Sequence, residues 1–308
     1  MTASANVGLL VPSAFVDGLP RPDEFASFFR AADEMGFHSL WATERVLHRV
    51  RVVQPFTTLA TAAAVTSRML LGTAVVLAPL RHPIGLANDA ASIDYLSGGR
   101  MNLGLSLGGR PEEFEAVGVP IGRRLGRYEE TLSLLPRLWS EDSVTHQGRH
   151  FQMENVSLAM RPVQAGGIPL LLAGASDAAM RRAGELSDGW INGGQGSPDE
   201  MRQRCEAIRG YAGESGRDWG ERPLGKIIYT SIDETRERSR ERLFPTLTGY
   251  YGPQYDVENF CAMGTPGECA DYINGYIEAG VNLVLVGFPW PDVSQLERLH
   301  REVLPLLA

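Results

Sequence analysis

The segment Ala173-Gly174-Ala175-Ser176 combines the residue types of a phosphate-binding turn. An apolar strand is expected to end at Ala173, Gly174 permits close approach of the backbone to a ligand, and a helix is expected to begin with Ser176 at its N-cap. The free amides and the dipole of a helix start favour an anion. Gly193-Gly194, which follow the next short strand, are expected to flank the same group. The alternative is that Ser176 only caps its own helix.

A second set of chemically active residues follows an earlier strand: Glu44, Arg45 and, one helical turn on, His48. Because a guanidinium stays charged at neutral pH, Arg45 suits an anionic partner rather than proton transfer. The imidazole of His48 titrates near neutral pH and would supply the titratable group. The alternatives are a solvated surface ion pair for Glu44 and Arg45 and a histidine without a chemical role.

Other polar residues point less sharply to a function. Arg110, Arg123 and Arg124 would suit a carboxylate-bearing tail, or form a solvated charge cluster. No G-x-G-x-x-G segment follows a strand, which argues against a Rossmann nicotinamide site. A metal-dependent hydrolase needs clustered ligands at strand ends, so scattered histidines disfavour it and we predict no metal site. The histidines are His38, His48, His82, His146, His150 and His300.

The elements that must position these residues are clearest between Met69 and Arg100 and just beyond. The apolar run Met69–Leu77 predicts a buried strand, a proline-containing turn and a helix follow, and Met101–Leu107 predicts a second strand. Strand, helix and strand with short links form the unit of a parallel sheet, since parallel neighbours need a crossover. Chemistry is then expected where the strands end, at Ala74–Pro79 and Ser106–Arg110.

The same alternation of strands and helices extends along the whole chain. Six more apolar runs predict strands, at Val7–Val11, Phe37–Ala42, Ile168–Ala173, Gly189–Asn192, Leu224–Ile232 and Val281–Gly287. Helices are predicted around residues 25–35 with Gly36 as cap, and at Pro55–Ser67, Ile121–Trp139, Ala175–Leu186, Asp233–Leu243, Cys269–Ala279 and Val293–Leu306. Ser197–Glu200 and Thr265–Glu268 have the pattern of capping boxes.

Two segments interrupt this alternation. Ser143–Leu158 is polar with a turn signal at Gln147-Gly148, which predicts an inserted hairpin, and Phe244–Met263 has no clear pattern. Eight strands that alternate with helices favour a single (β/α)8 TIM barrel over an open sheet, with residues 1–308 as one domain. The hairpin would follow the fourth helix and a helical insertion the seventh strand.

Composition limits the possible partners. The 308 residues exceed the roughly 250 that such a barrel needs. The net charge of −8 argues against nucleic acid or an anionic membrane as a partner. We see neither a signal peptide nor an apolar run near the roughly 18 residues that span a bilayer. The three cysteines, without C-x-x-C, are expected to be reduced thiols in a cytoplasmic protein.

Eight ordered blocks resemble the bacterial luciferase-like superfamily of flavin- and deazaflavin-dependent oxidoreductases. The blocks are Gly36–Trp41 with Glu44, Leu71–Thr73 through Arg81–Pro83, Asp94–Arg100, Glu112–Gly118, Arg161–Gln164, Pro169–Ser176, Ala183–Trp190 and Gly264–Pro266. The resemblance runs from about Val7 to Leu307 and is most similar to the deazaflavin (coenzyme F-420) oxidoreductases. It implies a TIM barrel with a cofactor ring over the carboxyl ends of its strands.

The resemblance also implies site residues. Ala74-Val75-Val76 matches a bulge where a non-proline cis peptide bond places backbone against the ring, with ordinary strand as the alternative. Relatives often carry His at position 45, near the reactive ring carbon, so Glu44, Arg45 and His48 are the candidate catalytic residues. Arg110 stands where many deazaflavin relatives have Trp. The cofactor-binding candidates are Ala74, Val75, Val76, Leu107, Gly108, Gly109, Ala173, Gly174, Ala175, Ser176, Gly193 and Gly194; Leu107 replaces the phosphate-binding Arg of true luciferases.

The implied activity is hydride transfer between deazaflavin coenzyme F-420 and a small organic substrate. The alternative is an FMN-dependent monooxygenase that uses reduced flavin, dioxygen and a partner flavin reductase. A catalytically silent flavin-binding protein is a further alternative, and a homodimer is implied. Substrate walls are expected from Val46–Pro55, Ser143–Leu158, Thr246–Met263 and Phe288-Pro289-Trp290, whose aromatic residues Tyr250, Tyr251, Tyr255 and Trp290 suit an apolar or planar molecule.

Overall fold

Eight parallel strands close into a barrel in the computed structural model, which describes residues 5–308. The strands are β1 (Asn6–Leu10), β2 (Ser39–Ala42), β3 (Leu70–Thr73), β4 (Met101–Ser106), β5 (Leu170–Ala173), β6 (Gly189–Asn192), β7 (Leu224–Ile232) and β8 (Leu283–Gly287). Each pairs with the next, and β8 closes the ring by pairing with β1, Asn6 opposite Leu283 and Leu10 opposite Gly287. The predicted TIM barrel is confirmed.

A helical layer surrounds the barrel. Its helices are α1 (Pro22–Glu34), α2 (Pro55–Val65), α3 (Pro83–Ser97), α4 (Arg124–Ser140), α5 (Asp177–Leu186), α6 (Pro198–Glu214), α7 (Pro266–Glu278) and α8 (Val293–Arg298). Five of them begin with proline, because its fixed φ suits the first helical position and its missing N–H costs nothing there. Both predicted capping boxes are present, at Ser197–Glu200 and Thr265–Glu268. Among residues 5–308, no helix is both long and apolar enough to cross a lipid bilayer.

Apolar side chains fill the interior of the barrel. Leu10, Trp41, Leu171, Ile227 and Leu285 form a central cluster, separate from the larger layer between strands and helices. The indole of Trp41 occupies the space beside β3, where a Cβ added to Gly72 would lie 2.4 Å from the ring. A glycine in this strand is therefore required by packing, since any side chain would displace the indole.

Some element boundaries differ from the sequence prediction. The strand predicted over Met69–Leu77 is interrupted: β3 ends at Thr73, the Ala74–Val75 peptide bond is cis, and a short strand, Val76–Leu77, pairs with Leu105–Ser106. The predicted helix over Ile121–Trp139 begins with a 3₁₀ turn, Ile121–Arg123. The last predicted helix continues past α8 as a π-helix, Leu299–Val303, and a 3₁₀ turn, Leu304–Leu306. Further helical turns lie at Ala78–Leu80 and Pro111–Ala116.

Additional elements decorate the carboxyl end of the barrel. The hairpin after α4 is present, as Val144–Gln147 with Gln152–Val156, and Ala14–Phe15 pairs with Arg51–Val52. After β7, the helix predicted over Asp233–Leu243 instead covers Arg236–Tyr251, and Val257–Phe260 forms another. The sequence prediction missed the strand Cys261–Gly264, which pairs with Tyr229–Ile232, the outer half of β7.

Candidate active site

A cavity of about 590 Å³ lies at the carboxyl ends of the strands. Its apolar floor includes Ala74, Val75, Ile191 and Ile227. Residues that follow β2, β3, β4, β5 and β6 form the walls, and Tyr250 and Tyr251 complete them. Because β2 and β6 are four strands apart in a ring of eight, the cavity extends across the barrel mouth. This is the face on which TIM-barrel enzymes carry their active sites.

Glu44 lines this cavity as a fully engaged buried carboxylate. The residue is 2% exposed, and one oxygen accepts a hydrogen bond from the amide of Leu77 at 2.7 Å. The other accepts from Nε of Arg81 at 2.8 Å and also from its terminal nitrogen. The alternative of a solvated ion pair between Glu44 and Arg45 is wrong, because Glu44 is buried and pairs with Arg81. The arrangement fixes the turn after β3 rather than presenting a free carboxylate.

Arg45 brings a half-buried positive charge to the cavity. Its guanidinium carbon lies 5.3 Å from the centre of the Tyr250 ring, and one nitrogen lies 3.6 Å from a carboxylate oxygen of Glu113. Burial by itself lowers the pKa of Arg45, but Tyr250 and Glu113 outweigh it and raise the pKa above its ordinary value. Within residues 5–308, Nε of Arg45 is buried without a hydrogen-bond partner. Because the residue as a whole lines the cavity, its positive charge suits an anionic group on a ligand.

His48 is not placed among the residues that line this cavity. Its Nδ1 accepts a hydrogen bond from the amide of Val50 at 3.1 Å, so Nε2 carries the proton and donates to the Tyr250 carbonyl at 3.0 Å. Burial and the guanidinium groups of Arg110, Arg45 and Arg49 lower its pKa. The imidazole is therefore neutral near pH 7, and both of its nitrogens are engaged with backbone.

Of the two glycines after β4, Gly108 lines the cavity and Gly109 does not. Gly108 lines the cavity with φ of +66°, and an added Cβ would meet the Phe114 ring at 3.3 Å. Leu107 packs against the outer apolar layer, and Gly109 is exposed. In the bulge after β3, Ala74 and Val75 line the cavity while Val76 is buried in the outer layer. These two turns thus supply Ala74, Val75, Leu77 and Gly108 to the cavity.

The turn after β5 has the geometry expected of an anion site. Ala173, Gly174 and Ala175 line the cavity, and Gly174 has φ of +131°. Ser176 is the N-cap of α5 and accepts a hydrogen bond from the amide of Ala179 at 3.3 Å. Within residues 5–308, the amides of Ala175, Ser176 and Asp177 donate to no protein acceptor. The capping role of Ser176 is therefore present, and it leaves free amides at the cavity edge.

The loop after β6 forms the facing edge. Gly193, Gly194 and Gly196 line the cavity, and so does Arg204 from α6. The guanidinium of Arg204 donates to the side-chain oxygen of Asn192 at 3.1 Å. Sequence analysis missed Arg204, because a charged residue inside an exposed helix carries no signal of its own. Its position two turns after a glycine-rich strand end was the available clue.

The expected substrate walls are partly displaced. Tyr250, Tyr251 and Phe260 from the Thr246–Met263 segment do line the cavity. Phe288-Pro289-Trp290 instead border a separate cavity of about 340 Å³, and the hairpin at 143–158 and the loop 46–55 border neither. A cavity of about 30 Å³, lined by Thr43, Tyr250 and Phe288, lies between the two.

A sequence model of the luciferase-like monooxygenase family matches residues 5–256 of this chain. The chain belongs to this family. The resemblance that the sequence motifs indicated is confirmed. As a luciferase-like protein, the chain carries its cavity at the strand-ending face, and within residues 5–308 no group of three or more His, Cys, Asp or Glu could hold a metal ion.

Curated relatives of this luciferase-like chain include a dehydrogenase and a monooxygenase. Uncharacterized proteins of Mycobacterium tuberculosis and Mycobacterium bovis are 32% identical over 165 residues, 54% of this chain. The chain spans 56%, about half, of the length of these relatives. An F420-dependent glucose-6-phosphate dehydrogenase of Kineococcus radiotolerans is 27% identical over 93% of both chains. The 4-hydroxyprotoasukamycin monooxygenase of Streptomyces nodosus subsp. asukaensis is 29% identical over 76% of this chain and 64% of its own.

Solved luciferase-like structures share the fold. An F420-dependent secondary alcohol dehydrogenase in complex with an F420-acetone adduct superimposes with a TM-score of 0.87 at 19% identity, over 99% of both chains. The oxygenating constituent of 3,6-diketocamphane monooxygenase from Pseudomonas putida, in complex with FMN, gives 0.78 at 20% identity over 99% of both. A deazaflavin and a flavin therefore both occur on this fold.

Proposed function

We propose that this protein is an oxidoreductase that transfers hydride between deazaflavin coenzyme F-420 and a small organic substrate. The observation that carries the proposal is the cavity across the barrel mouth, whose apolar floor lies between an edge with Arg45 and an edge where Arg204 pairs with Glu200. The likeness to an F420-dependent dehydrogenase over 93% of both chains supports the choice of coenzyme.

The residues present fit a flat redox ring with an anionic tail. Ala74, Val75 and Ile191 would support the ring, and the positive φ of Gly108 lets backbone approach it. The unpartnered amides at Gly174–Asp177 and the guanidinium of Arg204 would hold the phosphate-bearing tail. Bound deazaflavin supplies the hydride donor or acceptor, and the protein binds and orients both reactants.

Arg45 is the candidate charged residue beside the ring or substrate. Its guanidinium belongs to the cavity wall, where the positive charge would attract an oxyanion or a carbonyl oxygen. A guanidinium does not exchange a proton at neutral pH, hence Arg45 would stabilise negative charge. Glu44 is proposed as the residue that positions the turn carrying Val76-Leu77, and His48 as support for Tyr250.

A second candidate function is an FMN-dependent monooxygenase that receives reduced flavin from a partner reductase. The likeness to a monooxygenase over 76% of this chain favours it, and the same cavity would accept FMN. Reaction of the reduced cofactor with dioxygen distinguishes this activity from hydride transfer. We also propose one domain over residues 1–308, a homodimer, and a small-molecule substrate that contacts Tyr250 and Tyr251.

The test is a pair of parallel titrations of the purified protein, one with FMN and one with coenzyme F-420, in which calorimetry measures the binding. We expect F-420 to bind at micromolar concentration or tighter, and the bound coenzyme to be reduced or oxidised by candidate alcohols, ketones and enones. Binding of FMN alone would replace this proposal with the monooxygenase. Binding without turnover of any reduced cofactor would favour a catalytically silent flavin-binding protein.

A further inference from the structure

Lys226 is the only lysine of the chain, in which Lys and Arg together number 29. It lies in β7 and is 1% exposed. Every other position counted among the 29 is an arginine, which keeps its charge and is more weakly hydrated than an ammonium group, so it is buried more easily than lysine. A single buried lysine in an otherwise apolar barrel strand therefore needs a specific explanation.

The ammonium of Lys226 binds the loop after β6. Nζ donates to the carbonyl oxygens of Gly193 at 2.6 Å and Gln195 at 3.1 Å. The side-chain amide of Asn192 donates to the same two oxygens, at 3.0 and 2.8 Å. Nζ also lies 5.3 Å from the centre of the Tyr276 ring. Within residues 5–308, no carboxylate oxygen lies within 4.0 Å of Nζ. The two backbone carbonyls are therefore the hydrogen-bond acceptors that stabilise its charge.

This contact fixes the direction of two amide groups. In a trans peptide the N–H points opposite to the C=O of the same unit. Because the carbonyls of Gly193 and Gln195 turn toward Lys226, the amides of Gly194 and Gly196 turn away from it, on the side of the cavity that both glycines line. Within residues 5–308, neither amide donates to a protein acceptor. Two such amides lie beside the guanidinium of Arg204, which also pairs with Glu200 at 3.5 Å, and free amides of this kind suit an anion.

We propose that Lys226 is a positioning residue whose ammonium holds the Gly193–Gly196 loop so that the amides of Gly194 and Gly196 bind the phosphate of the cofactor, and that loss of its proton weakens this binding. The inference rests on the proposed function only in that a phosphate-bearing cofactor occupies the cavity. Lys226 itself does not touch the ligand.

The surroundings of Lys226 make its proton labile. Burial, with a smaller contribution from Arg204 on α6, lowers the pKa of Lys226 to about 7. The groups that act in the opposite direction are Glu200 on α6 and Cys261 on the outer strand. From α7 the uncharged Tyr276 faces the ammonium, and on β8 the residue paired with Lys226 is Val284. A neutral amine has one proton fewer to donate and no charge, so it holds both carbonyls more weakly.

The experiment follows from the single lysine. Labelling with ε-¹³C-lysine gives one side-chain signal, whose pH titration reports the protonation of Lys226 without any substitution. We expect saturating sulfate, an anion whose charge is constant between about pH 6 and 9, to raise the midpoint of that titration. By reciprocity, sulfate affinity measured by calorimetry should fall about tenfold across the same range. FMN and F-420 are then titrated in the same way.

Two variants separate positioning from packing. Lys226→Arg keeps the charge at every pH, so its sulfate affinity should be independent of pH. Lys226→Met removes the charge and should bind about tenfold more weakly than wild type at pH 6 and equally at pH 9. If neither sulfate nor cofactor changes the midpoint of the Lys226 titration, the inference is overturned, even if F-420 binds with full affinity. A sulfate-linked lysine in a protein that binds neither cofactor would uphold it and reject the proposed function.

Discussion

The carboxylate of Glu44 pairs with the guanidinium of Arg81 beneath the mouth of the barrel. Nε of Arg81 lies 2.8 Å from one oxygen of Glu44, and the second oxygen accepts the amide of Leu77. One buried carboxylate therefore joins the end of β2 to the turn after β3. Since that turn supplies Ala74 and Val75 to the cavity floor, the pair determines the shape of the floor without contacting a ligand through a free oxygen.

Replacement of Glu44 by Gln is expected to lower the free energy of unfolding by about 1–3 kcal/mol, because Arg81 loses its buried counterion. Urea denaturation measures the change. The matched control is Asp23→Asn, which removes the partner of Arg21 from an exposed pair and should leave stability unchanged. Equal stability of E44Q and wild type would mean that the ion pair contributes nothing to the fold.

Removal of the charge of Arg45 is expected to act on the reduced cofactor or an anionic substrate. Arg45→Met removes a positive charge from the cavity wall, so affinity for the negatively charged species should fall roughly 10–100-fold. Affinity for the oxidised cofactor should change less. Arg49→Met is the control, since that guanidinium bonds the carbonyls of Thr248 and Gly249 at the exterior. If the affinities for the oxidised and the reduced cofactor fall by the same factor, Arg45 does not act through the negative charge of the reduced form.

A negative charge at the start of α5 is expected to weaken cofactor binding. Ser176→Asp preserves the cap, since aspartate also accepts from the third amide of a helix, yet it places like charge beside the phosphate. Fluorescence or calorimetric titration should show at least tenfold weaker binding of whichever cofactor the protein uses. Thr235→Asp, at the cap of the helix Arg236–Tyr251, is the control. Unchanged affinity in S176D would move the phosphate site elsewhere.

Asp33 is expected to make stability depend on acidic pH. Burial by itself raises its pKa, but hydrogen bonds from the amides of Met69, Ser67 and Arg68 outweigh burial and lower the pKa. The folded state then binds its proton less readily than the unfolded chain, so the contribution is complete above the ordinary pKa near 4 and is lost as the pH falls through the folded value.

Asp33→Asn is the test of that linkage. The variant should lose about 1–3 kcal/mol of unfolding free energy at pH 7, because an amide replaces a carboxylate that accepts three backbone hydrogen bonds. Its stability should also fall less steeply than that of wild type between pH 5 and 3. The measurement is urea unfolding at a series of pH values. If the unfolding free energies of the two proteins fall equally steeply between pH 5 and 3, Asp33 does not have this role.

The barrel was predictable because its strands are continuous apolar runs. The predicted bounds of Gly189–Asn192 and Leu224–Ile232 agree with the structure residue for residue. The strand Cys261–Gly264 was not predictable, because four small and mixed residues carry neither alternation nor β-branched content. Its pairing depends on a neighbour more than 30 positions away, Tyr229–Ile232.

The strand ends that form the site were predictable from the sequence, but the ion-pair partners of its charged residues were not. Turns at strand ends identified Gly174 and Gly193 as cavity residues, since glycine at such positions has a backbone reason. The partners of Glu44 and Arg45 are Arg81 and Glu113, which are remote in sequence and carry no local signal. Lys226 did carry one: a charged side chain within an apolar strand, and the only lysine in the chain.

The fork of β7 has a consequence for how this protein diverges. Gly225–Tyr229 pairs with β8, whereas Tyr229–Ile232 pairs with Cys261–Gly264, so the wall parts above Tyr229. Phe288 and Trp290 border the separate cavity of about 340 Å³, whereas Ala74 and Ile191 line the larger one. Substitutions around the smaller cavity can therefore accumulate without altering the floor on which the proposed chemistry depends. Related chains are expected to diverge more at the smaller cavity than at that floor.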